Sequence, residues 1–88
     1  MKQAMQQYLK AMGVDQKMHE AAVLSQWEEI MGEAVNKRTE KKYIKEGVLY
    51  IELNSSVMRD ELMHKRSEII KKINAVSGFD IITDIYLA

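Results

Sequence analysis

The residues of this chain that could act together chemically are cations and tyrosines. Lys37, Arg38, Lys41, Lys42 and Lys45 fall within nine residues, with Glu40 the only acid among them. Tyr43 lies inside the run and Tyr50 follows shortly after it. Closely spaced cations can track a phosphate backbone, and aromatic rings beside them can stack on exposed bases. The same lysines also suit a solvated helix end and a strand edge protected against aggregation. Nucleophilic or metal chemistry has less to work with. His19 and His64 stand alone, without the HExxH spacing that holds zinc, and Ser55 and Ser56 lie outside any Gly-x-Ser-x-Gly elbow. Glu28 and Glu29 are adjacent, so on a helix they point apart and cannot work as a carboxylate pair. No Walker loop or dinucleotide fingerprint occurs, and the reading is a binding protein that needs no metal or cofactor.

Composition limits the partners. Thirteen basic and thirteen acidic side chains give a formal net charge of zero over 88 residues, so electrostatic recognition must come from a local patch. A chain of this length is expected to form one domain spanning 1–88. There is no cysteine, which excludes disulfides and thiolate metal sites and suits a reducing compartment. The stretch MKQAMQQYLKAMG is broken by Gln and Lys, unlike a signal peptide, and no window offers a membrane span. A cytoplasmic location without membrane attachment is expected.

The elements that must position the cations and tyrosines follow from periodicity. Met1, Met5, Tyr8, Leu9 and Met12 recur at helical spacing, with Gly13 as a stop. A second helix is expected from an Asp15 cap, starting with Met18, Ala21 and Ala22. Its apolar face is Val23, Leu24, Trp27, Ile30, Met31, Ala34 and Val35, and Gly32 either bends it or admits another backbone. Residues Thr39 to Lys45 and Val48 to Asn54 alternate as two strands around a Glu46-Gly47 turn. A two-residue turn pairs Tyr43 with Tyr50 as an aromatic couple and Lys41 with Glu52 as an ion pair. It also puts Ile44, Leu49, Ile51 and Leu53 on a core face.

Asn54, Ser55 and Ser56 then cap a long helix that runs to about Ser77 and stops at Gly78. Met58, Leu62, Ile69, Ile73 and Val76 are its core stripe. Glu61 with Lys65 and Glu68 with Lys72 have the spacing of surface ion pairs. Arg59, Met63, Arg66 and Ile70 form a third stripe, which is either a half-buried flank or a docking surface for a protein partner. The segment FDIITDIYLA alternates as a third strand, with Ile81, Thr83, Ile85 and Leu87 on one face and Ile82, Asp84 and Tyr86 on the other. Following a helix, it should lie parallel to the second strand and set Tyr86 beside Tyr43 and Tyr50.

This ordered set resembles the DciA-type family of bacterial proteins. The resemblance rests on Trp27, Ile30, Gly32, Ala34, Val35 and Thr39 before the hairpin, and Gly47, Leu49, Ile51 and Leu53 within it. It continues through Ser55, Ser56, Glu61, Leu62, Ile73 and Asn74 along the last helix. The match covers nearly the whole chain. It departs at Met58, where many members have Trp, in the absence of any proline, and in the absence of the basic extension many members carry. The resemblance implies a K-homology-like fold and a role in replication, contacting a DnaB-type helicase and DNA. The Gly-x-x-Gly loop with which K-homology domains clamp nucleic acid is not present.

The expected fold is therefore α+β: two N-terminal helices, a β-hairpin, a long helix and a C-terminal strand, with the helices on one face of a three-stranded mixed sheet. The expected function is a non-enzymatic adaptor in helicase loading. Lys37, Arg38, Lys41, Lys42, Tyr43, Lys45 and Tyr50 would meet DNA, with single strands among the candidates, while Arg59, Met63, Arg66 and Ile70 would meet the helicase. The competing expectation is a protein-only interaction module, such as a homodimer built on the open sheet face or an edge strand.

Overall fold

The computed structural model describes residues 13–88. The methionine-rich helix expected before Gly13 lies outside them. Gly13 itself, read as a stop, is helical here, and the helix already runs through Asp15, which is therefore not its cap. The described elements are α1 (Gly13–Ser25), α2 (Trp27–Met31), α3 (Glu33–Arg38), β1 (Thr39–Lys45), β2 (Val48–Leu53), α4 (Ser56–His64), α5 (Arg66–Ser77) and β3 (Asp84–Leu87). Together they form an α+β fold whose three-stranded mixed sheet has the order β1-β2-β3. β1 runs antiparallel and β3 parallel to the central strand β2.

Two helices expected to be continuous are segmented. The first breaks at Gln26 and Gly32, so one amphipathic stripe becomes α1, α2 and α3. Gly32 has a φ of 92°, a conformation costly for any residue with a side chain. A Cβ there would meet nothing within 4 Å, so Gly32 serves the bend and not a close backbone approach. Trp27, in the segment before the bend, is buried in the core. Its indole Nε1 donates to Thr39 Oγ1 at 3.1 Å, and the Thr39 hydroxyl donates to the Val35 carbonyl at 2.7 Å. These bonds tie α2, the first half of α3 and the start of β1 together around Trp27, which is 1% exposed.

The second helix is capped as expected: Ser55 Oγ accepts from the Met58 amide at 3.2 Å. It then breaks at Lys65 into α4 and α5, with Gly78 closing α5 in a left-handed conformation. Neither Glu61 with Lys65 nor Glu68 with Lys72 appears among the ion pairs of the described residues. These side chains rim a groove floored by Ile30, Met31, Val35, Leu62 and Ile69.

The core comprises Val23, Trp27 and Ile30 from the first helical run and Ile44, Leu49, Ile51 and Leu53 from the hairpin. Leu62, Ile69 and Ile73 join from α4 and α5, and Ile81, Ile82, Ile85 and Leu87 from the last segment. Met18, Ala34 and Val76, expected on apolar faces, are exposed. The third strand is shorter than its alternating pattern, because Ile81 and Ile82 are both buried and only Asp84–Leu87 pairs with β2.

Candidate nucleic-acid interface

The hairpin fixes the site. Its pairs are Lys45 with Val48, Ile44 with Leu49, Tyr43 with Tyr50, Lys42 with Ile51 and Lys41 with Glu52, as the two-residue turn requires. Glu46 and Gly47 have φ values of 51° and 79°, the positive pair that matches strand twist in a type I′ turn. The turn is also bound to the last segment. The Gly47 carbonyl accepts from the Thr83 amide at 2.7 Å, which aligns the start of β3 with the hairpin. Tyr50 consequently stands opposite Tyr86.

The three tyrosines form one row across the sheet. Tyr43 and Tyr50 are stacked, with centroids 4.8 Å apart and planes 12° apart, and Tyr86 tilts against Tyr50 at 5.8 Å. Tyr43 is 42% and Tyr86 59% exposed. Lys41 Nζ lies 5.8 Å from the Tyr43 ring centroid, within cation–π range. The expected ion pair between Lys41 and Glu52 does not form: the two are register partners, yet no contact within 4 Å joins them. The cleft among Lys41, Tyr43, Tyr50, Glu52 and Tyr86 is about 110 Å³. Ligand pockets start at roughly 300 Å³. The face is thus a platform, suited to stacking flat groups.

The five cations do not converge on this platform. Side-chain alternation puts Lys41 and Lys45 on the tyrosine face and sends Lys42, half-buried, to the helix side with Ile44. Lys37 and Arg38 end α3 and line a separate groove with Ala34, Ser55 and Met58. Lys37 is held in an exposed pair with Glu33 at 3.1 Å, and the Arg38 carbonyl accepts from Asn54. The face also carries two acids, Glu52 and Asp84, that a reading centred on the lysine run passes over. Tyr86 belongs with the candidate residues as well, and the alternation of the last segment already aligns it with the other two.

The stripe Arg59, Met63, Arg66 and Ile70 is divided by the break at Lys65. Arg59 is turned inward, with Nη2 donating to the Leu53 carbonyl at 3.3 Å and Nε buried without a partner. Ile70 packs against the core, and Arg66 Nε lies 3.5 Å from Asp84 Oδ1 across to β3. Met63, 51% exposed, and Arg66 are the members of the stripe that face solvent.

The histidines have local roles. His64 Nδ1 lies 2.9 Å from the Asp60 carbonyl on its own helix, and the His19 ring leans on Phe79 at 4.5 Å. Among the described residues no group of three or more His, Cys, Asp or Glu side chains could hold a metal ion, and no helix is long and apolar enough to cross a membrane. A comparison with curated proteins found no match. The family model described as "Dna[CI] antecedent, DciA" matches residues 1–87, so the chain that carries this tyrosine platform belongs to the DciA family.

Proposed function

We propose that this chain is a single-domain, non-enzymatic adaptor in bacterial DNA replication that assists loading of the DnaB-type helicase and receives single-stranded DNA on its tyrosine face. The DciA family is associated with DnaB helicase loading in replication, which supports the first half. The row Tyr43–Tyr50–Tyr86 is the observation that carries the second. The row is already packed on itself, so a base would meet the exposed rings of Tyr43 and Tyr86 at its two ends, and such contacts do not read sequence, which suits a protein acting wherever a helicase must be placed.

The charge arrangement specifies how such binding would behave. Lys41 and Lys45 are the cations beside the rings, with Lys37, Arg38 and Lys42 in reserve off the face. Two phosphate contacts to a single strand give a salt slope of only about −1.4. Stacking would supply most of the affinity. Helicase contact would use Met63 and Arg66, with Arg59 and Ile70 setting the shape behind them.

Binding of the purified protein to the replicative helicase of its own organism, with and without a single-stranded oligonucleotide and at two salt concentrations, tests the reading. Saturable helicase binding that persists at moderate salt, with a shallow salt dependence for the oligonucleotide, is expected. No interaction with either partner would overturn it.

A further inference from the structure

We infer that the free edge of β1 takes up an acidic extended peptide as a fourth strand of the sheet. This role uses the plane of the sheet, goes beyond the adaptor reading and does not depend on it.

β1 pairs with β2 alone, and among the described residues no backbone hydrogen bond joins its other edge to another element. Alternate residues of an edge strand aim their N–H and C=O groups outward, where a further strand can bond them. The regular part of this edge is short. The register shifts between Thr39 and Lys41, and the turn at Glu46 and Gly47 follows Lys45, so a partner strand can lie in register along residues 41–45.

Charge selects the occupant. Lys41 and Lys45 are exposed and Lys42 is half-buried, and none of the three holds an ion pair among the described residues. Lysines on an edge repel strands of like charge. Two copies of this edge paired antiparallel about Tyr43 would set Lys41 against Lys45 twice, so the strand that fits comes from another chain and is acidic. Nucleic acid uses the edge less well. A strand in the plane of the sheet sends side chains to both faces, and so reaches Lys42 on the helix side as well as Lys41 and Lys45 on the tyrosine side. A phosphate chain lying over the tyrosines meets Lys41 and Lys45 and leaves the backbone edge unpaired.

The register specifies the pattern that is recognised. In an antiparallel partner, successive residues meet Lys45, Ile44, Tyr43, Lys42 and Lys41 in turn. Acids belong at the first, fourth and fifth of these positions. A β-branched residue suits the second, opposite Ile44, and an aromatic residue the third, opposite the 42% exposed Tyr43.

Titration of the isotope-labelled full chain with a peptide carrying Glu-Val-Phe-Glu-Glu between threonine flanks, followed by amide NMR, tests the pairing. Binding is expected to move the amides of residues 41–45 most and to slow their hydrogen exchange. Two N-methylated forms of the peptide separate strand pairing from charge attraction, because methyl groups on alternate residues either face β1 or face away from it. The form whose methyl groups face β1 is expected to lose at least about tenfold in affinity, while the other keeps most of it. Lys41→Glu, Lys42→Glu and Lys45→Glu should each weaken peptide binding about two- to fivefold. The effect at Lys42 distinguishes the peptide from single-stranded DNA on the tyrosine face, for which Lys42 is the least important of the three. No shift at residues 41–45 with millimolar peptide, methylated forms that bind alike, or a folded Lys42→Glu variant that binds peptide as well as the wild type would each overturn the inference. Oligonucleotide binding that persists in any of these cases leaves the adaptor reading intact.

Discussion

Asn74 holds Ile82 by both of its backbone polar groups: the Asn74 amide nitrogen donates to the Ile82 carbonyl at 2.9 Å, and its Oδ1 accepts from the Ile82 amide at 3.1 Å. The side chain behaves as a short length of neighbouring strand. It pairs both backbone polar groups of Ile82 where a non-strand segment buries Ile81 and Ile82 together. By fixing that segment it also fixes the point where β3 begins, and hence the position of Tyr86.

Asn74→Ala should therefore destabilise the protein by about 2 kcal/mol, from two lost bonds and two exposed backbone groups. Urea denaturation measures this. A loss under about 0.5 kcal/mol would mean that water replaces the side chain at little cost.

The turn offers the opposite effect. Glu46 is the one non-glycine residue with positive φ among the described residues, and asparagine tolerates that conformation better. Glu46→Asn should stabilise by about 0.5 to 1 kcal/mol, and Gly47→Ala should destabilise by at least about 1 kcal/mol. Thermal denaturation of both variants should show opposite shifts; shifts of the same sign would exclude a type I′ turn.

Removal of the indole donor isolates one bond of the core. Trp27→Phe keeps most of the buried ring but leaves Thr39 Oγ1 without its donor, at a cost of about 1 to 3 kcal/mol in chemical denaturation. Thr39→Val in the Trp27→Phe background should then cost less than it does alone. Strict additivity would show that the hydrogen bond contributes nothing to the coupling.

On the proposed DNA face, Tyr43→Ala and Tyr86→Ala should each weaken binding of a single-stranded oligonucleotide by about 1 to 3 kcal/mol with little change in salt slope. Lys42→Glu should have the smallest effect of the three β1 lysines, because its side chain lies on the opposite face. Fluorescence anisotropy would read both. A Lys42 variant as damaging as Lys41→Glu would argue that nucleic acid follows the strand edge instead of the rings.

Met63→Asp should reduce helicase binding at least about tenfold while leaving the circular dichroism spectrum unchanged, since its side chain is half exposed. Unchanged affinity in a pull-down titration would remove the α4 flank from the proposed docking surface.

The hairpin register from Lys41–Glu52 to Lys45–Val48 was legible because its two strands have period two and its turn can take only one length without spoiling both the aliphatic and the tyrosine matches, whereas the bulge that pairs Thr39 with Leu53, and the end of the second strand at Leu53, were not. The long-range placement of Tyr86 was legible for the same reason, together with the handedness of the crossover. What the periodicity hid was interruption. Lys65 and Gln26 have no residue signature of a helix break; tertiary packing chooses those points, and α-helical periodicity runs through them unmarked. Ile81 and Ile82 misled the alternation because a side chain from another element, Asn74, supplies the pairing a strand would have provided. The lysine run looked like one site because neighbours in sequence are easily taken as neighbours in space, whereas a helix end and a strand disperse them.

Trp27 is the one tryptophan of the chain and it lies sealed in the core, while three of the four tyrosines stand together on the open sheet. The two chromophores therefore report on different events. Emission excited selectively at the indole follows whether the molecule is folded, and the tyrosine ultraviolet signal follows whether its face is covered. An occupant without strong ultraviolet absorption of its own can be detected on that face in the unlabelled protein, with an internal control for unfolding already built into the chain.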